Sequence, residues 1–217
     1  NYDIDIVIEG DGIIFAEEMA KTFKVKVKQH KEFATAKIIY QDGFKIDIAT
    51  ARLEYYKAPA ALPTVEHSSL KLDLHRRDFT INTLAISLNK NTFGQLLDFF
   101  GAQRDIKEKT IRVLHSLSFV EDPTRVFRAI RFEHRFGFHI GRHTMSLIKN
   151  AIKMSFLSRI KGKRIWTELT LILAEETPER VLKRLHELDL LKFISPDLSF
   201  DKEKERLFGK MQAVYQW

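Results

Sequence analysis

The sequence contains no cysteine, which excludes disulfides, thiolate metal sites and a cysteine nucleophile. It has no apolar run near the ~18 residues that span a bilayer, and no charged segment followed by an apolar one that resembles a signal peptide. We therefore expect a cytoplasmic protein. With 44% hydrophobic residues and 17 Phe among 217 residues, the chain can build a packed core in one large domain or two small ones.

Acidic residues are scarce in one long segment of the second half. The formal net charge is +7, from 36 Lys and Arg against 29 Asp and Glu, but residues 125–164 hold eleven Lys or Arg and a single acid, Glu133. Such a segment favours a polyanionic partner, of which RNA or DNA is the commonest. A solvated pair of basic helices is the alternative.

The hydrophobic pattern divides the chain near residue 115. Alternating runs such as 3–8 predict strands between short helices in the first part, whereas the spacing after about residue 118 is that of successive helices. We therefore predict an α+β fold, with a mixed sheet followed by an all-helical part. Within the first part, the sequence predicts a loop over 55–70, a helix over 77–88 and a polar connector over 98–109.

Three aspartates occur inside predicted strands. Asp3 and Asp5 lie two residues apart and so point to one face, while Asp47 lies between Ile46 and Ile48 in another strand. Aspartate is a poor strand former, and close carboxylates repel each other unless a divalent cation lies between them. Three carboxylates on one face are what two-metal nucleotidyl transfer requires. The alternative is a solvent-facing strand that uses aspartate.

A short polar segment follows at residues 75–82. Asp78 and Asn82 are four residues apart, so they would share a face of the predicted helix and could hold a ribose by its hydroxyl groups. Arg76 or Arg77 could reach phosphates through planar, multi-donor contacts. The alternative is the capped start of a helix.

Asp122 and Arg125 are three residues apart, which predicts neighbours on one helix face. A carboxylate can accept from the exocyclic amine of cytosine or adenine while a guanidinium donates to the adjacent ring nitrogen. Guanine and uracil present a carbonyl instead, so such a pair would reject them. The alternative is structural, with Asp122 as N-cap and Pro123 at the first helical position.

A stripe of arginines alternates with phenylalanines after this pair. The phenylalanine stripe, Phe127, Phe132 and Phe136, is predicted to face the core. The arginine stripe could meet a triphosphate or RNA. Its members are Arg125, Arg128, Arg131 and Arg135.

Taken together and in this order, these stretches resemble the motifs of the class II tRNA nucleotidyltransferase and bacterial poly(A) polymerase family. The resemblance runs from residue 1 to about residue 195. The matching segments are 3–7 with 47–52 for the first motif and its following strand, 76–82 for the second, 98–106 for the third, 121–125 for the fourth and 158–169 for the fifth.

The resemblance implies a head domain over 1–115, a nucleotide-selecting helical neck over 116–176 and the start of a helical body over 177–217. In the family, a Gly-Gly loop and an Arg-Asp pair precede the first motif's aspartates. We therefore expect part of the head to lie upstream of residue 1, and more of the tRNA-holding body downstream.

The implied activity is addition of C and/or A from CTP or ATP to the 3′ end of tRNA. A poly(A) polymerase of broader RNA range and a catalytically silent RNA- or nucleotide-binding module are the alternatives. The resemblance assigns catalysis to Asp3, Asp5 and Asp47, and Mg²⁺ or Mn²⁺ binding to Asp3 and Asp5. The implied nucleotide-binding residues are Arg76, Arg77, Asp78, Asn82, Asp122, Arg125 and Arg128. The implied RNA-binding residues are Arg131, Arg135, Arg159, Lys161, Lys163 and Arg164.

Overall fold

The computed structural model describes residues 4–55 and 64–215, which fall into two compact units. Described residues up to Arg77 belong to the first unit, and those from Asp78 onward belong to the second. The predicted α+β class is confirmed, because a mixed sheet lies in the first unit and helices dominate the second. No helix in the described part of the chain is long and apolar enough to cross a membrane.

The first unit is built around a mixed sheet. Its elements are β1 (Ile4–Ile8), α1 (Gly12–Phe23), β2 (Lys26–His30), a 3₁₀ helix (Lys31–Phe33), β3 (Thr35–Ile39), β4 (Lys45–Thr50), β5 (Arg52–Tyr55), β6 (Thr64–His67) and α2 (Leu70–His75). The sheet has the order β1-β4-β3-β2, with β1 parallel to β4 and the other pairs antiparallel. Strands β5 and β6 form a separate antiparallel pair.

The loop predicted over 55–70 is wrong where the structure describes it, because β6 and the start of α2 lie there. Pairing with β5 supplies the backbone hydrogen bonds that make residues 64–67 a strand, and a local reading of the sequence does not reveal this partner. Residues 56–63 of that prediction lie outside the described residues.

Helix α1 covers the apolar face of the main sheet. Ala16 of the helix packs with Ile38, Ile46 and Ile48, all of them buried. Because successive strand residues point to opposite faces, Asp5 and Asp47 lie on the other face, away from α1. The alternating pattern of the strands therefore separates an apolar packing face from a carboxylate-bearing face.

The first turn of α1 lies against β4 at unusually short range. The Gly12 backbone nitrogen donates to Thr50 Oγ1 at 2.9 Å. A Cβ built on Gly12 would lie 2.9 Å from the Thr50 backbone nitrogen, which is closer than real Cβ contacts. Asp11 caps the helix by accepting from the backbone nitrogens of Ile13 and Ile14. Glycine at position 12 thus sets how closely the helix approaches the sheet.

The second unit is mainly helical, with short strand pairs. Its elements are a 3₁₀ helix (Thr80–Asn82), β7 (Ala85–Ile86), β8 (Leu96–Leu97), α3 (Ala102–Lys107), β9 (Thr110–Ile111), α4 (Ser118–Glu121), α5 (Arg125–Arg135), β10 (His139–Ile140), α6 (Arg142–Lys153), a 3₁₀ helix (Phe156–Arg159), α7 (Gly162–Leu173), α8 (Pro178–Glu187), a 3₁₀ helix (Leu191–Phe193) and α9 (Lys202–Tyr215). Strand β7 pairs with β8, and β9 pairs with β10.

Two local predictions in this unit are wrong. The helix predicted over 77–88 is replaced by a 3₁₀ turn and β7, because the buried Phe79 bridges to Val113 in extended conformation. The connector predicted over 98–109 contains α3, which Asp98 starts by accepting from the backbone nitrogens of Ala102 and Gln103 at 2.8 and 3.0 Å. The contact between Phe79 and Val113 therefore prevents the predicted helix, and the Asp98 side-chain cap allows α3 to start.

The core of the second unit uses one face of α5. Phe127 and Phe132 are buried, which confirms their predicted place in the core. Phe136 is 45% exposed, so the prediction for this third residue is wrong. It follows the last helical residue and instead contacts Phe132 and Phe138, with ring centroids 5.4 and 5.7 Å apart.

Candidate active site

Asp5 and Asp47 face each other across the parallel pair of β1 and β4. The register pairs them directly, so the two residues lie on the same face of adjacent strands. Both line a cleft of about 260 Å³ in the first unit, together with Thr35 and Arg77. The predicted convergence of carboxylates on one face is therefore seen for these two residues.

Lys37 of β3 completes this face of the sheet. It lies opposite Asp47 in the antiparallel register, and its Nζ is 3.0 Å from Asp47 Oδ2. Both side chains are about one-third exposed, so solvent screens the pair. Asp47 thus has a cationic neighbour on one side and Asp5 on the other.

The donor set fits a divalent cation only in part. Asp5 and Asp47 offer carboxylate oxygens, the ligands that Mg²⁺ prefers, at positions where the two charges would otherwise repel. Asp3, the other predicted ligand, lies outside the described residues. Across residues 4–55 and 64–215, no group of three or more His, Asp or Glu side chains is placed to hold a metal ion.

The predicted phosphate-binding arginines follow helix α2. Arg76, the helix C-cap, donates from Nε and Nη2 to Asp73 Oδ1 at 3.1 and 3.0 Å. Arg77 lines the cleft that holds Asp5 and Asp47. Of the two arginines, Arg77 is therefore the one placed to contact an anion bound in the cleft.

Asp78 and Asn82 are brought together in the second unit, although not by an α-helix. Asn82 Nδ2 donates to Asp78 Oδ1 at 2.8 Å across the 3₁₀ turn. Arg128 Nε donates to Asp78 Oδ2 at 2.7 Å, so both carboxylate oxygens are occupied. Burial alone would lower the pKa of Arg128, but the charges of Asp78 and Glu168 and the hydrogen bonds to them raise it.

Asp122 does not lie on the face of a helix with Arg125. It ends α4, and α5 begins only at Arg125. The cause is the Asp122 side chain, whose Oδ1 accepts from Thr124 N at 3.1 Å and Thr124 Oγ1 at 2.6 Å and so holds a turn. Its Oδ2 accepts from Arg164 Nη2 at 2.7 Å. The carboxylate is therefore fixed through both oxygens, and Arg164 supplies a guanidinium that holds it.

Arg125 points into the second unit. It is 5% exposed, and its Nη1 donates to Ser118 Oγ at 2.8 Å. The predicted alternative of Asp122 as the helix N-cap also differs from the structure, in which Thr124 precedes the first helical residue.

The rest of the arginine stripe is paired with two glutamates, Glu168 and Glu175. Arg131 is 3% exposed and lies 3.3 Å from Glu168 Oε2 and 3.5 Å from Glu175 Oε1. Arg135 Nε donates to Glu175 Oε2 at 3.0 Å. These pairs join α5 to α7 and the residues just after it, and they account for much of the positive charge of the stripe.

The predicted RNA-binding residues Arg159, Lys161 and Lys163 lie on the surface around the start of α7. The Arg159 guanidinium carbon lies 5.5 Å from the centre of the Phe156 ring, a cation–π distance. This surface, defined by Arg159, Lys161 and Lys163, is exposed cationic charge rather than part of the buried ion-pair network.

Two family models match the chain. Residues 1–112 match the poly(A) polymerase head domain, and residues 137–201 match the probable RNA and SrmB-binding site of polymerase A. The first match alone covers more than half of the chain. The chain belongs to the poly(A) polymerase head-domain family. The matched segments agree with the order of motifs in the sequence.

Curated relatives of this chain are named A-adding or CC-adding tRNA nucleotidyltransferases. The chain is 58% identical over 217 residues to an A-adding tRNA nucleotidyltransferase of Geobacter sulfurreducens and 39% identical over 216 residues to one of Aquifex aeolicus. Both matches cover 100% of the chain, and they cover 25% and 26% of these relatives. The chain thus spans about a quarter of their length. It is also 32% identical over 183 residues, 84% of the chain and 48% of the relative, to a CC-adding enzyme of Deinococcus radiodurans.

Solved structures that resemble this chain include a CCA-adding enzyme and a tRNA nucleotidyltransferase. An apo form of a CCA-adding enzyme superposes with a TM-score of 0.92 at 48% identity, covering 100% of this chain and 50% of that one. A tRNA nucleotidyltransferase with a primer tRNA and an incoming ATP analogue gives a TM-score of 0.87 at 37% identity and covers 100% of this chain and 60% of that one. The fold of this chain is therefore shared with these two solved structures.

Sequence reasoning missed the side chains that hold the predicted site residues. Glu168 lies in α7 and Glu175 lies just after its end, so helical spacing does not link them, and their pairing with Arg131 follows from the fold. Lys37 could have been found from the alternation of β3. Asp73 and Thr124 carry no signal beyond their closeness in sequence to their partners.

Proposed function

We propose that the chain is the head and neck of an RNA 3′-terminal nucleotidyltransferase that adds C and/or A from CTP or ATP to the 3′ end of tRNA in the cytoplasm. The observation that carries the proposal is the alignment of Asp5 with Asp47 beside Arg77 in the cleft of a poly(A) polymerase head domain. The names of the relatives at 58% and 39% identity, both A-adding, favour A as the added nucleotide.

In the proposed reaction, the 3′-hydroxyl oxygen of the RNA attacks the α-phosphorus of the nucleotide, and pyrophosphate leaves. Asp3 and Asp5 would hold Mg²⁺ or Mn²⁺, and Asp47, which pairs with Asp5 in the strand register, would add a third carboxylate. Such ions lower the pKa of the attacking hydroxyl and neutralise the leaving pyrophosphate. Arg77 donates to the phosphates, and Asp5 and Asp47 supply the negative field that makes the cleft selective for a cation-bound triphosphate.

In this proposal, Asp122 and Arg125 select the base, and neighbouring side chains hold the Asp122 carboxylate in place. Asp122 accepts from the exocyclic amine of adenine or cytosine, and Arg125 donates to the ring nitrogen in exchange for its hydrogen bond to Ser118. Arg164 and Thr124 hold the Asp122 carboxylate, so the acceptor is set before the base arrives. Bases that present a carbonyl would be repelled.

The ribose and the RNA are proposed to meet separate groups. Asp78 and Asn82 address the ribose, and Arg128 lies near the nucleotide through its bond to Asp78. The exposed residues Arg159, Lys161 and Lys163 hold the RNA backbone together with Arg135, whereas the buried Arg131 has a structural role.

Nucleotide addition tests the proposal. The complete protein would be given labelled ATP or CTP and Mg²⁺ with tRNA lacking one, two or three 3′ nucleotides, and with an unrelated RNA. We expect addition to tRNA alone, lost in Asp5→Asn and kept in Asp42→Asn, which neutralises an exposed turn aspartate. Addition to every RNA would indicate a poly(A) polymerase instead. RNA binding without any addition would indicate a binding module and overturn the proposal.

A further inference from the structure

Asp73 is a buried carboxylate in helix α2, three and four residues before Arg76 and Arg77. Its side chain is only 1% exposed. A buried charge is costly unless cationic or hydrogen-bonding groups surround it. The groups around Asp73 therefore indicate what the carboxylate does.

The two oxygens of Asp73 have different surroundings. Oδ1 accepts from Arg76 Nε and Nη2 at 3.1 and 3.0 Å and from the Arg52 backbone nitrogen at 3.2 Å. Oδ2 accepts no hydrogen bond within the described residues but lies 3.8 Å from Arg77 Nη2, at ion-pair distance. Arg76 thus anchors the carboxylate through one oxygen, and the charge on the other oxygen acts on Arg77.

Arg77 is close to the Asp73 carboxylate and also lines the cleft that contains Asp5 and Asp47. Its guanidinium belongs to a side chain that is 36% exposed and that lines the cleft with Asp5 and Asp47. Its Nε is buried and has no hydrogen-bond partner in the described part of the chain, so one polar atom of the group is left unsatisfied. Without a competing negative charge, electrostatic attraction would draw Arg77 toward Asp5 and Asp47.

We propose that Asp73 is a positioning residue that holds the Arg77 guanidinium at the wall of the cleft, where it meets the phosphates of the incoming nucleotide. This inference rests on the proposed function, since the anion is the triphosphate of its substrate. Asp73 touches neither substrate nor metal in this scheme and acts through Arg77.

A double-mutant cycle on the complete protein tests the coupling. Asp73→Asn keeps the shape of the side chain and removes its charge, and we expect it to raise the KM for ATP on the order of tenfold with a smaller change in kcat. In an Arg77→Gln background the same substitution is expected to change kcat/KM by less than about twofold, because its target is gone. Equal losses in both backgrounds would overturn the proposal.

Asp105→Asn is the matched control. Asp105 is also fully buried and ion-paired, to Arg104 and Arg112, but it lies in the second unit. Its effect on kcat/KM is expected to add to that of Arg77→Gln, since Asp105 pairs with Arg104 and Arg112, whereas the effect of Asp73→Asn is expected to depend on Arg77.

Equilibrium binding of ATP separates this proposal from the proposed function. If the wild-type protein binds ATP but adds no nucleotide to RNA, weaker ATP binding in Asp73→Asn would keep the positioning role while the function fails. Unchanged ATP binding in Asp73→Asn, or no ATP binding by the wild-type protein, would overturn the positioning role.

Discussion

Arg164 holds Asp122 from a different helix. Its Nη2 donates to Asp122 Oδ2 at 2.7 Å and to Thr124 Oγ1 at 3.1 Å, so α7 supports the turn that precedes α5. Charge-assisted hydrogen bonds of this length fix a carboxylate more firmly than neutral ones do. Through Arg164, the basic segment contributes to the proposed base-selecting group rather than to the exposed cationic surface.

Arg164→Gln should therefore loosen base selection. With one oxygen of Asp122 released, we expect incorporation of G or U relative to A to rise on the order of tenfold, about 1.4 kcal/mol of discrimination. The measurement is competition between labelled nucleotides on the same tRNA. Lys163→Gln removes a neighbouring exposed charge and is the control, with unchanged selectivity and weaker RNA binding. Equal loss of selectivity in both variants would contradict the role of Arg164.

The pair of Asp78 and Arg128 should matter for stability. Arg128→Met leaves the buried Asp78 without its cation, so we expect a loss of about 2 kcal/mol in the free energy of unfolding. Arg135→Met is the control, because Arg135 is 49% exposed and its partner Glu175 keeps a second cation, Arg131, at 3.5 Å, so we expect a loss of about 0.5 kcal/mol. Urea unfolding measures both variants. Equal losses of unfolding free energy in the two variants would mean that Arg128 does not stabilise the buried charge of Asp78.

His134 should make stability depend on pH below neutrality. Burial, the largest cause, lowers its pKa from 6.5, and Nε2 is buried without a hydrogen-bond partner among the described residues. In the window between the lowered pKa and 6.5 the unfolded state binds more protons, so stability falls as pH falls through it.

His134→Gln is expected to flatten the pH dependence of the unfolding free energy in this window. The exposed His143→Gln is the control and should keep the slope of the wild type. A slope that is unchanged in His134→Gln would show that other groups cause it.

Gly12→Ala tests the approach of α1 to the sheet. The added Cβ would lie 2.9 Å from the Thr50 backbone nitrogen and 3.1 Å from the Ala49 carbonyl carbon, and backbone atoms yield little. We expect a loss of about 2 kcal/mol in unfolding free energy, as for overpacked cores. Gly162→Ala, where a Cβ meets nothing within 4 Å, is the control and should leave stability nearly unchanged. A neutral Gly12→Ala would mean that α1 shifts easily.

The carboxylate-bearing face of the main sheet was predictable because successive residues of a strand point to opposite faces. Asp5 and Asp47 alternate with isoleucines, and the apolar face that α1 covers leaves the carboxylates no other side. The segment after Arg77 was not predictable, because extension of the chain at Phe79 depends on a bridge to Val113, 34 residues away. Local propensity favoured a helix there, and a distant strand partner overrode it.

Periodicity and composition are local properties, so the α+β class, the order of the motifs and the residue types in them follow from the amino-acid sequence. The pairing of charged side chains, in contrast, depends on the folded chain. Asp122 pairs with Arg164, 42 residues away, Arg125 donates to Ser118, and Arg131 pairs with Glu168. The physical reason is that an ion pair depends on the distance between two groups in the folded chain, which their separation in sequence does not set.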